Sequence, residues 1–136
     1  MKRSATAVWN GTGKEGSGNL STQSATLSKT PYSWKSRFEE GTGTNPEELI
    51  AAAHAGCFSM KLTFALGAAG FTADSIETTC DITLDNGAIT TSHLSTTVKA
   101  AGLTNEKLQE IAADAKANCP VSKALTATIS MDAKLG

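Results

Sequence analysis

Several absences narrow this sequence first. No stretch of about 18 residues is both apolar and free of charge, so nothing reads as a membrane-spanning helix. No basic run stands out, and 12 Lys and Arg against 13 Asp and Glu leave a formal charge of -1 over 136 residues. That balance suits no nucleic-acid binder held by phosphate contacts. The opening Met1-Lys2-Arg3-Ser4-Ala5-Thr6-Ala7-Val8-Trp9-Asn10 has a basic start with no apolar core behind it. It is not a signal peptide, and a cytoplasmic location is expected. There are only three cysteines, Cys57, Cys80 and Cys119. An odd number without a secretory signal makes a poor disulfide scaffold, so these are expected to be thiols. No Cys-x-x-Cys occurs, and His54, Cys57, Cys119 and a distant His93 make a poor zinc set. Neither a metal nor a cofactor is therefore expected. Repeats and low-complexity segments are also missing.

What is present suits a single folded domain spanning 1–136. Hydrophobic residues make up 40% and charged residues 18%. A chain of this size can bury about two-thirds of its unfolded surface. The first forty residues are rich in Gly, Ser and Thr, and Ala5–Trp9, Gly18–Gln23 and Tyr32–Phe38 read as short strands, with a hairpin tip at Lys14-Glu15-Gly16. Thr44-Asn45-Pro46-Glu47-Glu48 reads as a helix start: a capping side chain, Pro at the first helical position and acids where the helix dipole favours them. Thr44 with Glu47, or Asn45 with Glu48, forms the capping box. The helix runs to Leu66, with Gly67 and Gly70 as its stop. From Leu49 to Met60 it is apolar nearly all round, which predicts burial on every side, in a domain centre or an interface.

Phe71–Leu84 alternates, with Ile76, Thr78, Cys80, Ile82 and Leu84 on one face. Asp85-Asn86-Gly87 marks a hairpin into a second strand, Ala88–Ala100. Leu103–Asn118 reads as a helix with Leu108, Ile111, Ala112 and Ala115 on one stripe. Cys119-Pro120-Val121-Ser122 breaks it and opens a short helical turn, and Ala124–Leu135 reads as a last strand. The order predicts an α+β fold of antiparallel sheets around a long buried central helix.

Each cysteine has its own setting. Cys80 lies on the apolar face of a strand and reads as a small buried hydrophobe. Cys57 sits mid-helix, three residues after His54 and on the same helical face, which allows a packed core pair, a Cys–His pair or part of a metal site. Cys119 precedes a possible helix N-terminus, where unpaired N–H groups favour a thiolate. If Cys57 and Cys119 meet in the fold, a reversible disulfide between them is natural chemistry in the cytosol.

The residues also carry a resemblance. Gly43-Thr44-Asn45-Pro46-Glu47-Glu48-Leu49-Ile50-Ala51-Ala52-Ala53-His54-Ala55-Gly56-Cys57-Phe58-Ser59-Met60 resembles the core signature of the OsmC/Ohr family, the osmotically inducible and organic hydroperoxide resistance proteins. Asn118-Cys119-Pro120-Val121-Ser122 is similar to its second signature, and Pro31-Tyr32-Ser33-Trp34-Lys35-Ser36-Arg37-Phe38-Glu39 looks like the OsmC branch. His54 agrees with that branch, where the Ohr branch typically carries a tyrosine. The resemblance covers essentially the whole chain. It implies an intertwined homodimer and a thiol peroxidase of the oxidative or osmotic stress response, reducing organic hydroperoxides and hydrogen peroxide. It also implies Cys57 as peroxidatic and Cys119 as resolving, Arg37 favouring the thiolate, Glu47 holding Arg37, and an external dithiol, of lipoyl type, as reductant.

The helix geometry adds an expectation. Glu47 and Cys57 are ten residues apart, a rise of about 15 Å, and they point about 80° apart around the axis. A Glu47–Arg37 pair thus reaches Cys57 more easily in a second copy packed antiparallel about a two-fold axis. An obligate homodimer with two composite sites is predicted. Two alternatives stand beside the peroxidase: a cysteine hydrolase or transferase with His54 as base, and a small-molecule-binding dimer with inert cysteines.

Overall fold

A computed structural model describes residues 1–136. The chain divides into two compact units, Met1–Leu49 and Ile50–Gly136.

In the first unit, β1 (Ala5–Asn10), β2 (Ser17–Thr22) and β3 (Thr30–Tyr32) form an antiparallel sheet in chain order. The third predicted strand is corrected: only Tyr32 of Tyr32–Phe38 belongs to a strand, and Trp34–Phe38 is a short helix, α1. Its cause is a pair of reciprocal serine caps. Ser33 accepts from the Ser36 N–H at 3.2 Å, and the Ser33 N–H donates to Ser36 Oγ at 2.8 Å. This is the capping-box arrangement with Ser in place of Glu or Gln at the third helical position. The loop behind it turns at Gly43, whose φ is 104° and whose Cβ, were there one, would stand 1.9 Å from the Pro31 carbonyl oxygen. Only glycine fits there.

The long helix α2 runs Pro46–Ala68. Of the two possible caps Asn45 is the one used: its Oδ1 accepts from the Glu48 N–H at 2.8 Å. The Glu48 carboxylate instead takes the Thr44 hydroxyl at 2.7 Å. The helix continues through Gly67 and stops at Gly70, whose φ is 89°. There the Phe71 N–H bonds Leu66 O at 2.9 Å and the Gly70 N–H bonds Gly67 O at 3.0 Å. This pair of bonds is the Schellman ending, and it needs the left-handed residue that Gly70 supplies.

In the second unit, β4 (Ala73–Asp85) and β5 (Ala88–Ala100) form the predicted hairpin, with Asn86 and Gly87 both at positive φ. The chain then passes through α3 (Asn105–Asn118) and α4 (Pro120–Ala124) to β6 (Thr128–Leu135). The class is α+β, as expected, but this second sheet is mixed. β6 pairs parallel to β5, from Thr91 with Thr128 to Val98 with Leu135. The two intervening helices carry the chain back to the start of β5, the crossover that a parallel neighbour requires.

The core of this unit is one helical stripe on one sheet face. His54, Phe58, Leu62 and Leu66 recur every fourth residue of α2 and are fully buried. Leu94 and Val98 of β5 and Leu108, Ala112 and Ala115 of α3 join them with no exposure. Each large apolar side chain so buried contributes about 1.5–3 kcal/mol. The rest of α2 is not covered within one chain, where Met60 is 66% and Phe64 72% exposed, so of the two expected settings the domain centre accounts for one stripe only. By length and composition alone α2 could cross a membrane, but its other stripe is already committed to the sheet.

Candidate functional site

The four residues singled out from sequence fall as two pairs, one in each unit. Arg37 and Glu47 form the pair of the first unit. Arg37 is held on α1 and Glu47 on the opening turn of α2. The guanidinium donates through Nη2 to Oε1 at 2.7 Å and through Nε to Oε1 and Oε2 at 3.1 and 3.2 Å. Such a fork fixes the arginine's plane as well as its charge. The hydrogen bond to Glu47 raises the arginine's pKa above its ordinary value. Beside the pair lies a pocket of about 110 Å³, walled by Trp9, Tyr32, Trp34, Phe38 and Pro46.

Cys57 and Cys119 form the pair of the second unit. Cys57 faces inward from α2, and Cys119 is the single residue between α3 and α4. Sixty-two residues separate them, yet both pack into the same apolar cluster and lie near enough for each thiol to shift the other's pKa. Burial pushes Cys57 above the ordinary thiol pKa, with the Val121 N–H and Lys61 working against it. Burial acts on Cys119 in the same sense but is outweighed. The Ser122 N–H, the Cys57 thiol, the Ser122 hydroxyl and the Val121 N–H pull Cys119 below the ordinary value. Within one chain negative charge is therefore easier on Cys119 than on Cys57. Access runs the other way, since Cys119 has no exposed surface while Cys57 is only partly covered.

His54 is fully buried and has both ring nitrogens occupied. Nδ1 meets Ser92 Oγ at 2.6 Å and Nε2 meets Ser122 Oγ at 2.7 Å. Neither nitrogen is left over as a base for Cys57, so the hydrolase alternative loses its catalytic pair. Cys80 is half-buried on the sheet face, as its strand position implied, but it is not among apolar groups alone. Its Sγ lies 3.2 Å from Ser92 Oγ and 3.8 Å from His54 Nδ1. Burial raises its pKa, so Cys80 keeps its proton. Sequence reasoning missed Ser92 and Ser122. Ser122 stood inside the quoted Cys119-Pro120-Val121-Ser122 run without a role, and nothing local marked Ser92.

Comparison with known proteins decides the lineage of this arrangement. A family model described as OsmC-like protein matches residues 39–134. The chain belongs to this family. It is 48% identical over 133 residues to the peroxiredoxin OsmC of Escherichia coli K12, covering 95% of this chain and 93% of the relative. Among solved structures it is similar to the organic hydroperoxide resistance protein OhrB of Bacillus subtilis, at 26% identity and a TM-score of 0.66, over 98% of both chains. It is also similar to a putative organic hydroperoxide resistance protein of Vibrio cholerae, at 25% identity and a TM-score of 0.74, over 99% of this chain and 91% of the other. The chain is thus an OsmC-like, thiol-dependent peroxidase.

Proposed function

We propose that this OsmC-like chain reduces organic hydroperoxides with Cys57 as the peroxidatic and Cys119 as the resolving cysteine. The observation that carries the reading is that two thiols from different elements pack into one apolar cluster, near enough to shift each other's pKa, one partly accessible and one sealed. A peroxide must reach the attacking sulfur, and that favours Cys57 although Cys119 carries charge more easily. The Cys57 thiolate attacks one oxygen of the O–O bond, an alkoxide leaves and takes up a proton, and Cys57 becomes a sulfenic acid. Cys119 condenses with it, releasing water and forming the disulfide, which an external dithiol of lipoyl type reduces by exchange.

Cys57 needs a cation to offset its burial, and the Arg37–Glu47 fork is the group built to supply one. Ten residues of helix between Glu47 and Cys57 put that fork at the Cys57 of a second copy in our proposal, giving a homodimer with two composite sites. The uncovered Met60 and Phe64 on α2 support this, being the kind of apolar surface a second copy covers. We place the enzyme in the cytoplasm as one OsmC-like domain. The test is mass spectrometry of the reduced protein after one equivalent of tert-butyl hydroperoxide. The expected product is a Cys57–Cys119 bridge with Cys80 still a thiol; unchanged thiols would overturn the proposal.

A further inference from the structure

Arg37 and Glu47 need more than each other to stay in register. An ion pair whose arginine side chain is 40% exposed contributes little by itself. The helix that carries the arginine, α1, has only five residues, far below the length at which a helix holds without outside contacts. Its place against the start of α2 is therefore set by hydrogen bonds between the two segments. Two of these run in opposite directions. The buried Ser36 hydroxyl donates to the Thr44 carbonyl at 2.8 Å. The Asn45 Nδ2 donates to the Ser36 carbonyl at 3.0 Å, one of the carbonyls that the end of a helix leaves without an internal partner.

Ser36 immediately precedes Arg37, and Asn45 stands two residues before Glu47. The same Asn45 side chain also caps α2, its Oδ1 accepting from the Glu48 N–H at 2.8 Å. That bond fixes which end of the amide is oxygen and leaves Nδ2 for Ser36. Asp, Ser and Thr cap helices about as well as Asn. Of the four, only Asn offers an acceptor and a separate donor from one tip, and here both are used. All of these groups lie in the Met1–Leu49 unit.

We infer that Asn45 is a positioning residue for the Arg37–Glu47 fork: its oxygen seats the helix that carries Glu47, and its nitrogen holds the helix that carries Arg37. Without the Nδ2 bond α1 keeps its own serine caps but loses a tie to α2. The guanidinium then no longer returns to one plane, and the fork opens. A displacement of about 1 Å in a group that serves a reacting atom is enough to slow the reaction severely. The effect on Cys57 rests on the role proposed above for Arg37; the effect on the fork does not.

The experiment compares Asn45→Asp and Asn45→Ser with the wild-type protein. Both variants keep an oxygen for the Glu48 N–H. Asp has no donor for Ser36, and Ser, which adds no charge, is too short to reach both partners. Urea midpoints should stay near the wild-type value because the cap survives, and should fall only in Asn45→Ala. The fork is read by proton–nitrogen NMR of the arginine Nε–H groups. The chain has two arginines, Arg3 and Arg37, so the Arg3→Lys spectrum assigns the signals. The Arg37 Nε–H should exchange with water slowly in the wild-type protein and about tenfold faster in both variants. Iodoacetamide should alkylate Cys57 about tenfold more slowly near neutral pH, with the profile displaced about one unit upward, because a thiol that loses its cation ionises later. Slow Arg37 exchange retained in both variants would reduce Asn45 to a cap and overturn the inference. So would faster exchange accompanied by midpoints as low as that of Asn45→Ala, which marks a general loosening, or a wild-type Arg37 signal that exchanges as fast as that of Arg3. Arg37→Ala tests the underlying reading separately: alkylation of Cys57 at the wild-type rate there would detach the arginine from the thiolate, while the Nε–H exchange still decides for or against Asn45.

Discussion

His54 on α2 and Ser92 on β5 are 38 residues apart in sequence and 2.6 Å apart in the fold, between Nδ1 and Oγ. The contact ties the long helix to the central strand of its sheet with no solvent between them. Burial lowers the pKa of His54 from its ordinary 6.5. On acidification the unfolded chain takes up a proton near that value while the folded chain resists it, so the unfolded state binds more protons. The stability held by neutral His54 is therefore complete above about 6.5 and drains away as pH falls toward the lower folded value, by at most about 1.4 kcal/mol per pH unit. Urea midpoints on either side of that pH should show the loss in the wild-type protein and a smaller one in His54→Gln. Equal acid sensitivity in the two proteins would remove the argument.

The two thiols of the candidate pair and the third cysteine should part company under mutation. Cys119→Ser should leave Cys57 stranded as a sulfenic acid that excess hydroperoxide drives to the sulfinic state. Cys80→Ser should keep turnover at a cost of about 1–2 kcal/mol, since it disturbs half-buried contacts with Ser92 and His54 and neither Cys57 nor Cys119. Whole-protein masses before and after oxidant check the first variant, and urea midpoints with steady-state rates check the second. A Cys80→Ser protein that no longer forms the bridge would contradict the assignment.

The cap of α1 offers a separate handle on Arg37. Ser33→Ala removes one half of the reciprocal Ser33–Ser36 caps and should cost about 1 kcal/mol. Because Arg37 sits one turn along, the loosened helix should also slow alkylation of Cys57 by iodoacetamide if the arginine serves the thiolate. Ser33→Asp, which still caps, should restore both. An alkylation rate indifferent to all three residues would separate Arg37 from Cys57 chemistry.

What the sequence disclosed was set by locality. The start of α2, the Asn86-Gly87 turn and the inward face of β4 were legible because each is written in neighbouring residues. α1 was not, since a serine at the third helical position carries a weaker signal than Glu or Gln. The parallel pairing of β6 was hidden because alternation reveals a strand but not its direction. The Cys57–Cys119 pair came only with the family resemblance; spacing alone left open whether the two met. His54 was noticed, but its partners lie 38 and 68 residues away, where no periodicity points.

The uncovered stripe of α2 yields a prediction about assembly. Phe64 is 72% exposed in a single chain, so a charge there costs the isolated fold little. If a second copy covers it, Phe64→Glu places an unpaired carboxylate in an apolar interface, which is strongly unfavourable. Light scattering should find a dimer for the wild-type protein and a monomer for Phe64→Glu, with peroxide turnover lost alongside. A dimeric, active Phe64→Glu would show that this stripe lies outside the interface.

Composite sites can be tested by mixing two dead proteins. If Arg37 and Glu47 of one chain serve Cys57 of the other, Arg37→Ala and Cys57→Ser homodimers each lack one half of both sites. A heterodimer of the two gathers both defects in one site and leaves its second site wholly wild type. Random exchange makes half of the dimers mixed, so the mixture should recover about a quarter of the wild-type rate under the two-fold arrangement. If each chain instead completes its own site, every site in every dimer carries a defect and mixing restores nothing. Subunits should be exchanged by unfolding and refolding together, with each variant refolded alone as its control.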